Sequence, residues 1–249
     1  MKKQNKAISL PKKAKKVKGE TLVNFILDKS GSMESVRAAT ISGFNEYIKT
    51  LKKDGNKYSF SLTLFDTLIT TPYLNQDLGD VKELNNESYS PDGMTALYDA
   101  VCQTIKGITE KKDQKVINII MTDGEENSSK EYTQVQMKSL IEERTKKGNW
   151  TFVYLGANQD SYVNAQKFGI SQMNASNFTA TAKGMANAMN TVASNTCNFA
   201  IDSNTQSDAF FSKADQTNLE ADKDGDKISQ HFSNLGKKSW QKRKKDLLN

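Results

Sequence analysis

The chain has 249 residues, 36% hydrophobic and 26% charged, which suits one substantial core and excludes a collagen-like, mucin-like or wholly disordered chain. One histidine, His231, and two cysteines, Cys102 and Cys197, cannot build a multi-histidine or CxxC zinc site or a disulfide framework, so a metal bound here must be held by oxygen. The net charge of +6 is uneven: residues 1–19 carry +8 and residues 237–249 carry +5, which leaves −7 on residues 20–236.

In chain order, residues 1–19 read as a basic tail. They contain no apolar run long enough for a signal-peptide core, and no later segment approaches a transmembrane span, so the expectation is a cytoplasmic chain with reduced cysteines and no membrane span. TLVNFIL (21–27) is an apolar run, read as a strand buried on both faces. Met33, Val36, Phe44, Tyr47, Ile48 and Leu51 then recur at helical spacing until Asp54-Gly55 ends the helix. YSFSLTLF (58–65) and TLITTPY (67–73) are separated by Asp66 alone, too short for a crossover helix, so the pair is a hairpin with an antiparallel edge strand.

A polar stretch, 75–93, leads to a helix from about Ala96 to Thr109, with Leu97, Val101, Ile105 and Ile108 as its inward stripe. KVINIIMT (115–122) is a second buried strand, followed by a helix over roughly 132–147, a strand at 150–156, a short helix at 161–169, a short strand near 177–181 and a last helix at 183–193. Alternating strands and helices with short connections predict an α/β domain over 20–195, doubly wound around a mostly parallel sheet. Residues 196–249, polar and lysine-rich, read as an appendage or tail. The basic ends are either solvated or in contact with nucleic acid or another polyanion; no aromatic-interleaved basic stripe favours contact.

Asp28-Lys29-Ser30-Gly31-Ser32 follows the first buried strand, and Thr122-Asp123-Gly124 spans the end of the second and the turn after it. In a doubly wound sheet the ligand crevice opens at the carboxyl ends of strands where their order reverses, so Asp28 and Asp123 can face one crevice. A third loop, Ser90-Pro91-Asp92-Gly93-Met94-Thr95, offers the Thr95 hydroxyl at the start of the next helix. Hydroxyls from Ser30, Ser32 and Thr95 with one or two carboxylates suit Mg²⁺ or Mn²⁺, with water completing an octahedron.

DKSGS (28–32), the threonine of PDGMTAL (91–97) and MTDGEEN (121–127), in this order, resemble the metal-ion-dependent adhesion site (MIDAS) of von Willebrand factor A (vWA) domains. The resemblance covers about residues 20–195. It implies the sheet order 3-2-1-4-5-6, a divalent metal at the top face held by Asp28, Ser30, Ser32, Thr95 and Asp123, and metal-mediated binding of a partner's acidic residue. Asp92-Gly93-Met94 departs from the paired glycines of many members. YLGANQDSYVNAQKFGIS and NFTATAKGMANAM are similar to stand-alone vWA proteins of bacteria and their phages. The function that follows is a metal-dependent protein-binding module; the alternative is a phage-associated structural or assembly protein that uses the domain as scaffold and the basic tails for contacts.

Other motifs point away from chemistry. DKDGDKIS (222–229) imitates a calcium loop, but Lys227 stands sixth where an EF-hand needs glycine and no glutamate follows, so a polar turn is expected. Glu125 and Glu126 either shape the metal site or form a solvated loop, and Cys102 reads as a packing residue. The chain has no P-loop, no GxSxG elbow and no DxD pair after the first strand, so an enzyme is not expected.

Overall fold

A computed structural model of the protein describes residues 19–221 apart from 158, 159, 203 and 205. The calcium-loop imitation, His231 and most of both basic ends lie outside the described residues. Six strands form one sheet in the order β3-β2-β1-β4-β5-β6. They are β1 (Thr21–Asp28), β2 (Tyr58–Phe65), β3 (Ile69–Asp77), β4 (Lys115–Thr122), β5 (Trp150–Ala157) and β6 (Ala175–Phe178). All pairs are parallel except the β2/β3 hairpin. Pro72 lies in β3, the edge strand, where a missing N–H is tolerated.

The helices are α1 (Arg37–Asp54), α2 (Leu97–Gly107), α3 (Gln134–Thr145), α4 (Ser161–Lys167), α5 (Ala182–Ile201) and α6 (Lys213–Glu220). Alternation along the central strands feeds two apolar layers. Val23, Phe25 and Leu27 pack with Phe44, Tyr47, Met189 and Val192 of α1 and α5, while Leu22 and Ile26 pack with Val101, Ile105, Met137 and Ile141 of α2 and α3. Asn24 and Asn118 sit inside the apolar runs of β1 and β4 and are fully buried; Asn24 Nδ2 donates to Asn118 Oδ1 at 3.0 Å across the strand pair.

The expected elements differ from the observed ones mainly at the carboxyl side. The short strand lies at Ala175–Phe178, slightly before the expected 177–181. The boundary expected at 195 falls inside α5, because Thr196 turns a polar side chain inward to accept a hydrogen bond from the Tyr47 hydroxyl at 3.2 Å, and Phe199 and Ala200 continue the buried stripe. Residues 196–221, expected as part of a tail, contribute Phe210, Phe211 and Leu219 to the same core as α1 and α5. Ser212 and Asp215 form a capping box that starts α6. No helix of the described residues is long and apolar enough to cross a membrane.

Candidate metal centre

The strand order reverses at β1, which pairs in parallel with β2 on one side and β4 on the other. Leu27 lies opposite Met121, so Asp28 ends β1 beside Thr122 at the end of β4. This is the carboxyl edge of the sheet at its switch point, where a crevice opens between diverging loops.

All five oxygen-bearing residues expected at the site meet there. Ser32 Oγ donates to Asp123 Oδ1 at 2.6 Å, and the Ser30 and Ser32 hydroxyls are 3.1 Å apart. Asp28 Oδ1 accepts the Ser30 N–H at 2.6 Å, which folds the loop back over the strand end. Gly124 ties in the remaining hydroxyl: a Cβ built there would lie 2.8 Å from Thr95 Oγ1 and 3.7 Å from both Asp28 Oδ2 and Ser32 Oγ. The bare α-carbon therefore leaves room among donors from all three loops. Asp28, Ser30 and Thr95 are buried, whereas Ser32 is exposed and Asp123 half-buried. The site has a closed floor and an open rim.

Burial dominates the electrostatics. It pushes the Asp28 carboxyl from its ordinary 3.8 up to about 6, against hydrogen bonds from Thr122 and Ser30 that favour the charged form, with Asp123 adding a smaller push upward. Burial also raises Asp123, opposed by the Ser32 hydroxyl. Two carboxylates in one partly dry crevice repel each other and favour a cation between them. The donor set, three hydroxyls and two carboxylates, consists entirely of hard oxygen. Together with the space beside Gly124, it fits a small divalent cation.

Several supporting residues were not legible in the sequence. The Thr122 hydroxyl donates to Asp28 Oδ2 and accepts the Gly124 N–H at 3.1 Å. Tyr89, wholly buried, donates its hydroxyl to the Asp28 carbonyl at 2.7 Å. Asn127 Oδ1 accepts the Thr95 N–H at 2.8 Å, while the Asn127 N–H donates to the Thr95 carbonyl at 3.0 Å, lacing the second loop to the third. Thr122, Glu126 and Asn127 carried a signal, lying within MTDGEEN, whereas Tyr89 carried none. Glu126 braces the loop: its carboxylate accepts the N–H groups of Tyr98, Ser128 and Ser129 at 2.7–3.0 Å. In the threonine loop only Gly93 adopts a positive φ, 68°, so Asp92 and Met94 need not be glycine.

No family model matches the sequence, and no curated protein matches it. Among solved structures the chain is similar to proximal thread matrix protein 1 from the mussel byssus, with TM-score 0.55 and 16% identity over 72% of this chain and 46% of that one. A further structure of the mussel protein, at 17% identity, has a zinc-occupied MIDAS motif. The chain is also similar to a von Willebrand factor type A protein from Catenulispora acidiphila (TM-score 0.54, 17% identity, 72% of this chain and 43% of that one). A third similar structure is the pilus adhesin SpaC from Lactobacillus rhamnosus GG (TM-score 0.56, 15% identity, 75% and 30%). This chain thus spans less than half the length of each. At such identities the likeness is one of fold: the sheet order, the antiparallel edge strand and the flanking helices are those of a vWA domain.

Proposed function

We propose that the chain is a metal-dependent protein-binding module. In this reading Asp28, Ser30, Ser32, Thr95 and Asp123 hold Mg²⁺ or Mn²⁺, directly or through water, and a partner protein supplies an aspartate or glutamate to the same ion. The observation that carries the reading is the meeting of these five side chains from three loops around the space beside Gly124. The zinc-occupied MIDAS of the mussel protein supports it as the behaviour of a protein with a similar fold.

The chain's own residues divide the work. Buried Asp28, Ser30 and Thr95 form a floor whose hydrogen bonds fix the donors in place, and exposed Ser32 with half-buried Asp123 forms the rim facing an incoming partner. Hydroxyl donors neutralise no charge and two carboxylates at most balance a dication. With one or both carboxylates acting through water, a cation held here would stay electrophilic enough to take a carboxylate from outside the chain.

The test is affinity capture on immobilised protein from extracts of its native host, in Mg²⁺ and then in EDTA, with Asp28→Ala in parallel. A partner held by the wild type in Mg²⁺, released by EDTA and not retained by folded Asp28→Ala is expected. Equal retention by a folded Asp28→Ala protein in EDTA would overturn the proposal.

A further inference from the structure

The turn between β2 and β3, Asp66-Thr67-Leu68, contributes none of the five side chains, yet it is bonded to both loops that carry four of them. Toward the first loop, the Lys29 N–H donates to the Phe65 carbonyl at 2.6 Å, and the Lys29 ammonium is ion-paired with the Asp66 carboxylate. Toward the threonine loop, the Ala96 N–H donates to the Asp66 carbonyl at 3.0 Å and the Met94 N–H donates to Thr67 Oγ1 at 2.9 Å. These two bonds bracket Thr95. The two loops also join directly, with Asp92 N–H donating to the Lys29 carbonyl at 2.9 Å and Gly31 N–H to the Gly93 carbonyl at 3.1 Å.

The two polar side chains of the turn have separable duties. Asp66 is buried, and besides meeting Lys29 it accepts the Leu68 N–H at 2.6 Å, so it also closes its own turn. Thr67 is exposed, and its hydroxyl bonds to the Met94 N–H of the threonine loop. The approach is close: a Cβ at Gly93 would stand 2.8 Å from Thr67 Oγ1 and 3.6 Å from Asp66 Cβ. A shift of the turn therefore carries the threonine loop with it, while Asp66 and the Phe65 carbonyl hold the first loop to the same frame.

We infer that the Asp66-Thr67 turn is a positioning element that sets the Ser30 and Ser32 hydroxyls against the Thr95 hydroxyl, so that cation affinity depends on side chains that never touch the cation. The inference rests on the metal-binding reading above and deepens it. Outer-shell groups that orient metal ligands commonly control affinity, with losses of about 10- to 100-fold when removed, and the turn acts one bond further out, on the backbone on either side of Thr95.

Thr67→Val removes the acceptor at nearly constant shape, and Thr67→Ser restores it. Mn²⁺ affinity of the purified full chain, read from the electron paramagnetic resonance of free Mn²⁺, should fall about tenfold in Thr67→Val and return in Thr67→Ser. The metal-free melting temperatures of all three proteins should stay alike. Asp66→Asn, which weakens the hold on Lys29, should also lose affinity. Equal Mn²⁺ affinity in wild type, Thr67→Val and Asp66→Asn would overturn the positioning role and leave the centre standing. A Thr67→Ser protein as weak as Thr67→Val would overturn it too. A wild type that binds no Mn²⁺ would overturn the centre itself, and this inference with it.

Discussion

Asp28 is under opposing demands. Its carboxylate is wholly enclosed at the end of β1, and burial lifts it to about 6, so in metal-free protein at neutral pH a desolvated charge is carried at a cost. The folded state binds the proton more tightly than the unfolded chain, whose aspartate titrates near 3.8. The stability this group contributes is fully present below about pH 4 and is lost as pH rises through about 6. Asp28→Asn removes the charge, and the Asn oxygen can still accept from Ser30 while Thr122 rotates to accept from the new amide. We expect Asp28→Asn to raise the metal-free melting temperature at pH 7.5 by a few degrees, equivalent to about 1–2 kcal/mol, and to show no gain at pH 4. Thermal melts in EDTA at the two pH values check this; a variant less stable than wild type at pH 7.5 contradicts it. Four of the five candidate ligands were legible because short polar side chains directly follow the apolar strands β1 and β4, and Thr95 because a hydroxyl stands just before a helix in a motif that resembles the adhesion site. Tyr89, Asp66 and Thr67 were not, because their roles exist only as hydrogen bonds between loops distant in sequence.

At the scale of elements, the strands were legible where an apolar run ends abruptly. KVINIIMT predicts 115–122, and β4 is Lys115–Thr122. The helix over 183–193 was cut short because Asn195, Thr196 and Asn198 break its apolar stripe, although the observed α5 buries Thr196 and runs to Ile201. The start of α5 depends on a close approach that spacing cannot show. Thr181 caps the helix by accepting the Gly184 N–H at 3.0 Å, and a Cβ at Gly184 would stand 2.2 Å from the Thr179 carbonyl oxygen. Backbone must move to admit it. Gly184→Ala should destabilise the protein by about 1–3 kcal/mol despite alanine's better helix propensity. A melting temperature several degrees below wild type is the expected readout; a rise would show that the turn before α5 yields freely.

Across the whole molecule, topology brings the three loops together. The order β3-β2-β1-β4-β5-β6 makes β1 and β4 neighbours, so residues 28 and 123, far apart in the chain, reach one crevice. The sequence resemblance implied that order; the residue pattern alone supplied the alternation of strands and helices and the antiparallel hairpin at one edge, but not which strands are neighbours. The packed body is larger than the sequence suggested, because Phe210, Phe211 and Leu219 join the core from a segment whose composition is polar. Along the sequence the −7 of residues 20–236 lies between ends of +8 and +5, so the net +6 does not describe the segment that carries the candidate centre. The most direct measurement is a titration of the full wild-type chain with Mn²⁺, followed by the loss of its free-ion resonance and repeated with Asp123→Ala. One bound Mn²⁺ per chain, displaced by Mg²⁺ and lost in Asp123→Ala, is the predicted result. No bound Mn²⁺ in the wild type, or full binding in folded Asp123→Ala, would contradict the account.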